Sequence, residues 1–370
     1  MREVLVSVGE ASGDLHGAAF VAALRARAPG VTVCGLGGAR MAAEGVTLLE
    51  PPGRMSVMGF VEVLGTIPHH WRLLRRVEQK LARGDVGLVV VMDYPGFNMR
   101  VAAAARRHGV PVLYYITPQV WAWGAGRLPK LAALVARAAV ILPFEADLLR
   151  SHGIDATFVG HPLLDRMGEL PTREEARASL GIATDRRVLA LFPGSRRQEI
   201  ERHLEPFVAT AQQLQRQDPG LEVVVSVAPE ITLGNDRCPY PQVHDASWTV
   251  LRAADAALCK SGTTTLEAAV AECPLIVAYK TSAWTYAIAR RVVQIPRIGL
   301  VNVVAGREVA TEFVQDAVTA EGMAAALAPL LADTPARRAM VQALGEVKAR
   351  LGSPGASARA AGIALELLGG

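Results

Sequence analysis

The sequence predicts an α/β protein built from two parallel-sheet domains. Three observations carry this. Short, near-continuous apolar runs alternate with helix-like segments, as strands do when crossover helices bury both faces of a sheet. The alternation pauses over a polar stretch at 160–185 and then restarts. The chain has 370 residues, more than one hydrophobic core usually serves.

In order, "VLVSV", "VTVCGL", "GLVVVMD", "VLYYIT", "AVILPF" and "ATFVG" read as strands of the first domain, residues 1–164. Helical patterns such as 14–28 and 96–108 separate them. "GHPLLDRMGELPTREEARASLGIATD" is polar and turn-rich, with one short helix, and reads as the connection. "RVLALFPGSR", "LEVVVSVAP", "AALCKSG" and "LIVAYK" then give a second βαβ series, and the Ala- and Leu-rich tail from about 319 is helical.

A composition 51% hydrophobic and 20% charged is that of a globular chain, and the net charge of +4 suits anionic partners such as phosphates or an anionic membrane without arguing for nucleic acid. Cys34, Cys238, Cys259 and Cys273 form no C-x-x-C pair; they are expected to be reduced and buried, and no metal site is expected. No signal peptide is expected, because the chain starts directly on a strand. No apolar run reaches the length of a membrane span, so any membrane contact is expected to be peripheral.

Open α/β sheets bind ligands beyond the carboxyl ends of their strands, so chemistry is expected in four post-strand loops, across a cleft between the domains. The first is "VSVGEASGDLHGA". It lacks the G-x-G-x-x-G spacing of a dinucleotide turn and carries Glu10 and Asp14; Ser12 and Gly13 permit a tight turn before a helix near Asp14. Asp14 is either an N-cap or a ligand-facing carboxylate, and capping leaves Glu10 unexplained. In the second, "VVVMDYPGFNMR", Asp93 ends a buried strand that Pro95 stops. It either pins the turn or faces a ligand, and Asn98 is either the next N-cap or a second polar contact.

In the third loop, "LFPGSRRQEI", Gly194 and Ser195 turn into a helix whose N-terminal amides, with the Arg196 fork, suit a diphosphate. The plainer reading is a surface arginine on a capped helix. In the fourth, "LCKSGTTTLEAAV", Ser261, Gly262, Thr263 and Thr264 offer hydroxyls and amides to phosphate, and Glu267 suits two ribose hydroxyls. A dehydrogenase would place its ribose acid about twenty residues after the glycine turn, so a nucleotide diphosphate across these two loops is the better reading.

"GEASGDLHGA", "VMGFVEVL", "MDYPGFN", "YYITPQVWAWGAGR", "PFE", "FVGHPL", "PGSRRQEI", "SGTTTLEAAV", "PLIVAYK" and "LVNVVAGREVATEFVQD" follow one another in this order. Together they resemble the lipid-A-disaccharide synthase family over nearly the whole chain. One departure is Thr311 before Glu312, where the family often has proline. The resemblance implies a GT-B glycosyltransferase. It has two Rossmann-like domains, the first binding acceptor and lipid and the second, 165–349, binding the UDP-sugar. A final helix at about 350–370 returns to the first. It further implies inverting transfer of 2,3-diacylglucosamine from UDP to 2,3-diacylglucosamine 1-phosphate, with no metal or cofactor. The site would be the cytoplasmic face of the inner membrane of a Gram-negative bacterium.

On that reading, inversion needs one base and an oxocarbenium-like transition state. Asp93 is the first choice for base, with Glu10 and Asp14 as alternatives. His16, one turn into a helix, is expected to pack or cap. Arg196 and helix N-termini meet the leaving diphosphate; Asn302 and Gln315, from matching blocks, contact donor sugar or diphosphate; His161 shapes the hinge. Trp121, Trp123 and Arg127 of "VWAWGAGR" either wall the acceptor side or pack. In 55–84, Pro68 starts a helix with Trp71, Leu74, Val77 and Leu81 on one stripe, beside Arg72, Arg75 and Arg76. With Met58 and Phe60 just before it, this is either an interfacial basic helix or a domain helix with a solvated face. The rival readings are a UDP-N-acetylglucosamine transferase or 2-epimerase on the same fold, and a non-catalytic nucleotide- or lipid-binding protein. Monomer and homodimer both remain open.

Overall fold

The computed structural model describes residues 3–9, 11–51, 63–229, 231–282, 284–286 and 296–369, with the side chains of 11, 63–67, 123 and 125 excepted. The chain forms two compact units, Met1–Asp165 with Gly352–Gly370, and Arg166–Leu351.

The first unit runs β1 (Glu3–Ser7), α1 (Ala11–Arg27), β2 (Val33–Leu36), α2 (Ala39–Ala43), β3 (Thr47–Leu48), α3 (Val63–Ala82), β4 (Val86–Met92), α4 (Pro95–Arg107), β5 (Val112–Tyr115), α5 (Val120–Trp123), α6 (Leu128–Leu134), β6 (Arg137–Val140), α7 (Glu145–Arg150) and β7 (Ala156–Phe158). Its sheet has the order β3-β2-β1-β4-β5-β6-β7, with the pairings parallel. Alternate strand residues serve opposite cores. Val4, Val6, Leu88, Val90 and Met92 pack with Phe20 and Leu24 of α1; Leu5, Val89 and Val91 pack with Leu73, Val77 and Phe97 of α3 and α4. Both faces are apolar, which is why these strands read as continuous hydrophobic runs.

The second unit runs α8 (Arg173–Ser179), β8 (Val188–Phe192), α9 (Arg197–Gln217), β9 (Glu222–Val227), β10 (Gln242–His244), α10 (Ser247–Ala253), β11 (Ala256–Lys260), α11 (Thr264–Val270), β12 (Leu275–Tyr279), α12 (Leu300–Ala305), β13 (Glu312–Val314), α13 (Ala320–Leu327) and α14 (Pro335–Arg350). Its sheet order is β10-β9-β8-β11-β12-β13. Ile200, Leu204 and Phe207 of α9 pack with Met323 and Leu327 of α13 on one face of it.

The last helix, α15 (Ala356–Gly369), returns to the first unit, where Ala360, Ala361 and Ala364 join the α1 core. Asp165 fixes its start: Oδ1 accepts from the amides of Gly355 at 2.6 Å and Ala356 at 3.0 Å, and Oδ2 from Ser357 at 3.1 Å.

Two local readings are corrected and a third is sharpened. The first helix begins at Ala11, so Ser12 and Gly13 lie in its first turn rather than before it. The helix expected from Pro68 begins at Val63, with Pro68 inside it. The polar stretch at 160–185 holds the break between the two units, after Asp165. Its helix α8 belongs to the second unit, where Arg177 is 2% exposed and donates to Asp255 at 3.0 Å and to the Ala253 carbonyl.

Candidate active site

Each sheet reverses its winding once, between β1 and β4 in the first unit and between β8 and β11 in the second. Ligand sites of open α/β sheets form at such switch points. The four loops singled out in the sequence are those that follow these four strands.

In the first unit the loops after β1 and β4 touch. A Cβ at Gly9 would come within 2.2 Å of Tyr94 Cγ, so glycine is required for the Tyr94 ring to lie on the β1 loop. The Ser7 hydroxyl donates to Asn98 Oδ1 at 2.7 Å, and Asn98 Nδ2 donates to the carbonyls of Met92 at 2.8 Å, Asp93 at 3.0 Å and Ser7 at 3.3 Å. Asn98 is 0% exposed. Its amide is spent fastening β1 to the end of β4, so it is a fastener rather than the polar contact to acceptor proposed from sequence.

Asp93 and Tyr94 have φ of 45° and 44°. Left-handed backbone at residues with side chains costs about 1–3 kcal/mol each and persists only where neighbours enforce it. Here the Asp93 amide donates to the Ile116 carbonyl at 3.0 Å, and its carbonyl accepts from Asn98 and, at 2.8 Å, from the Tyr114 hydroxyl. The outcome is an exposed Asp93 at the carboxyl end of a central strand. Tyr114 is buried; burial, then the charge of Asp93, raises its phenol well above the ordinary value, and Arg127 opposes this. Asp93 and Arg127 are thus in electrostatic range of one hydroxyl.

Asp14 is 7% exposed. Its carboxylate accepts from the amides of Gly38 at 2.6 Å, Arg40 at 3.0 Å and Met41 at 3.2 Å. It caps α2 across the fold rather than its own helix, which accounts for a carboxylate at this place without a base role. Glu10 lies outside the described residues. His16 is half-buried, and its charge adds to burial in lowering His161 to about 3. His161 Nδ1 accepts from the Leu163 amide at 3.2 Å, which fixes the neutral ring.

Trp121 is half-buried with its ring edge-on to Phe144, and its indole N–H donates to Glu145 at 3.0 Å. Glu145 is 3% exposed and also accepts from the Leu142 amide at 3.0 Å. Burial pushes its carboxyl up to about 7, against the pull of these donors. The sequence reading passed over this residue; its only signal was the "PFE" block. The Trp123 side chain lies outside the described residues, as do Met58 and Phe60.

On α3, Leu73, Leu74, Val77 and Leu81 face the core. Trp71 leaves that stripe: it is 53% exposed, with the Arg100 guanidinium 5.6 Å from its ring centre. Arg72 and Arg75 are exposed beside it, while Arg76 donates to the Leu49 carbonyl at 2.9 Å and pairs with Glu50.

In the second unit the loops after β8 and β11 border a pocket of about 300 Å³ lined by Gly194, Ser195, Glu199, Lys260, Gly262, Thr263 and Thr264, with Ser226, Asp245 and Ser247 beside them. Gly194 has φ 128°, and a Cβ there would meet Glu199 Cβ at 2.6 Å. Glu199 Oε2 accepts from the amides of Ser195 at 3.0 Å and Arg196 at 3.3 Å, while Oε1 takes the Lys260 ammonium at 2.8 Å. Burial raises the Glu199 carboxyl, but Lys260 and the Ser195 amide outweigh it and hold it below its ordinary value. Arg196 is half-exposed, 3.8 Å from the same carboxylate. Neither Glu199 nor Lys260 was singled out in the sequence, although a glutamate three residues past a helix cap is a capping-box signal.

Glu267, in the first turn of α11, is raised by burial and lowered by a hydrogen bond with Ser247 and by the charge of Arg166. Ser261 spends its hydroxyl on the Ile298 carbonyl at 2.7 Å. Asn302 and Gln315 are both engaged within the protein. Asn302 is 0% exposed, accepts from the amides of Val309 and Ala310, and donates to Glu312 and to the Ala310 carbonyl. Gln315 pairs both ways with the Thr281 backbone at 2.6 and 3.0 Å. Both amides tie loops together.

A family model described as lipid-A-disaccharide synthetase matches residues 4–363. A lipid-A-disaccharide synthase of Geobacter sulfurreducens is 41% identical, covering 100% of this chain and 98% of its own length. Among solved structures, the UDP co-structure of S. aureus MnaA superimposes with a TM-score of 0.65 at 14% identity, over 97% of this chain and 94% of its own. The glycotransferase of kitacinnamycin does so with 0.64 at 16% identity, over 98% of each chain. These structural likenesses establish the GT-B fold.

Proposed function

The chain belongs to the lipid-A-disaccharide synthase family and is a glycosyltransferase of lipid A disaccharide synthesis; on that premise we propose the substrates, the stereochemistry and the residue roles. The donor is UDP-2,3-diacylglucosamine and the acceptor 2,3-diacylglucosamine 1-phosphate. The products are the β-1,6-linked disaccharide 1-phosphate and UDP. The single observation that carries this is the family match from residue 4 to residue 363.

The acceptor 6-hydroxyl attacks the anomeric carbon, the bond from that carbon to the diphosphate oxygen breaks, and the hydroxyl proton passes to the Asp93 carboxylate. Asp93 suits the role because it is exposed at a switch point on a backbone held by three hydrogen bonds. The same charge stabilises the oxocarbenium-like transition state. In the second unit, the pocket after β8 and β11 suits the UDP moiety. Arg196 and the α9 amides meet the negative charge of the departing diphosphate, with no metal required. Glu267 suits the ribose hydroxyls.

No described helix is long and apolar enough to cross a membrane. We assign the lipid-facing contact to α3, where Trp71, Arg72 and Arg75 stand exposed together, against the anionic cytoplasmic face of the inner membrane.

The test is to incubate purified protein with both lipid substrates in the presence of EDTA and identify products by mass spectrometry. Disaccharide 1-phosphate with stoichiometric UDP supports the reading. UDP alone, or a 2-epimerised UDP-sugar, contradicts it.

A further inference from the structure

The donors best suited to a diphosphate in the second unit are already engaged by one of the protein's own carboxylates. Glu199 takes the Ser195 amide, the Arg196 amide and the Lys260 ammonium together, at 3.0, 3.3 and 2.8 Å. The fit is built in: only glycine at 194 leaves room for the Glu199 Cβ. Glu199 and Lys260 both line the pocket, and each side chain is 17% exposed. Among the described residues, the Lys260 ammonium also lies 5.9 Å from the Tyr279 ring centre, a weak cation–π contact.

The charge balance is the difficulty for a ligand. A Glu–Lys pair presents no net charge to an incoming diphosphate, and a carboxylate at the α9 N-terminus occupies the place an anion would take. An entering diphosphate offers the same donors more negative charge and more acceptor oxygens than one carboxylate. A lysine acts on phosphate as a point charge and needs no fixed fork, so Lys260 can transfer from carboxylate to phosphate with a small movement of its stem.

We propose that Glu199 is a resident competitor for the diphosphate, holding in the ligand-free chain the two amides and the Lys260 ammonium that the diphosphate takes on binding, and that Lys260 is a diphosphate-binding cation of this pocket. The proposal rests on the reading of this pocket as the UDP site. It gives the two partners of one ion pair opposite effects. Lys260 favours the diphosphate; Glu199 opposes it.

Isothermal titration of UDP and of uridine into the full-length protein and its K260M, E199Q and K260M/E199Q variants tests this. Glutamine keeps the amide-capping oxygen of Glu199 without its charge, so E199Q is expected to fold, and thermal melting checks each variant. K260M is expected to weaken UDP about tenfold and E199Q to tighten it severalfold, with uridine unchanged in both. The double variant should bind UDP more weakly than E199Q. If E199Q leaves UDP affinity unchanged or lowers it, Glu199 supports the site instead of competing for it, and the proposal fails. Unchanged UDP affinity in K260M removes Lys260 from the site. If the folded wild-type protein binds no UDP at all, the assignment of the pocket itself is wrong, and the proposal goes with it.

Discussion

At Asp93 and Tyr94, two successive left-handed residues are kept in place by Asn98, Tyr114 and Ile116. Such strain at the mouth of a strand is affordable only where the surroundings over-determine it. Asp93→Asn preserves the backbone bonds and removes the carboxylate proposed as base, so turnover should fall at least about a hundredfold with melting temperature little changed; a near-normal rate would take the base role from Asp93. Asn98→Ala acts differently. It strips a donor from the buried carbonyls of Ser7 and Met92 and from the part-buried one of Asp93, and leaves the Ser7 hydroxyl without its acceptor, so denaturant unfolding should show a loss of about 2–4 kcal/mol. Sequence revealed Asp93, a carboxylate ending an apolar run before proline. It could not reveal that Asp14, Asn98, Asn302 and Gln315 are engaged within the protein, because their partners are mostly backbone groups whose approach leaves no mark on residue type.

Two buried groups of the first unit give opposite responses to pH. Glu145 has its folded pKa raised to about 7, so its contribution to stability is present at low pH and is lost as pH rises from the unfolded carboxyl value through about 7. His161 is lowered to about 3; its contribution is present above the unfolded histidine value and is lost as pH falls toward about 3. Between roughly pH 4.5 and 6.5 the two trends oppose each other. Glu145→Gln removes the opposing Glu145 trend, and thermal melts should then show stability rising across that window more steeply than in wild type. An unchanged profile would mean that Glu145 does not retain its proton there.

Among the elements, α3 illustrates how far periodicity reaches. Leu74, Val77 and Leu81 do share a buried face, as the spacing required. Trp71 does not, because Arg100 of α4 provides a cation over its ring and an indole can stay at the surface on that support. Arg76 is tied to Leu49 and Glu50, so the membrane contact proposed for α3 is best probed at Arg72 and Arg75. Arg72→Glu with Arg75→Glu should weaken sedimentation with anionic vesicles at least about tenfold; equal binding would exclude α3 from the contact. The returning helix α15 has a different dependence. Ala360, Ala361 and Ala364 are 0% exposed in the α1 core, and Ala364→Leu should cost about 1–3 kcal/mol in chemical denaturation through overpacking. The sequence suggested a helical tail, but its place on the first unit came only with the family resemblance, because an Ala-rich pattern names no partner.

For the molecule as a whole, strand-and-helix alternation sufficed to separate two parallel sheets, since strands buried on both faces are uniformly apolar. Strand order was not legible, because it depends on crossovers that leave no local mark. Yet the order matters most: it brings the β1 and β4 loops together in one unit and the β8 and β11 loops together in the other, turning four scattered motifs into two candidate sites. The central claim is that these sites carry out one inverting displacement. The most direct measurement is the anomeric configuration and linkage of the disaccharide formed by the purified enzyme, read by NMR from the anomeric coupling and the shift of the acceptor C6. The account predicts a β-1,6 bond made from the α-linked UDP donor. An α-linked product, or a bond to another acceptor hydroxyl, would contradict it.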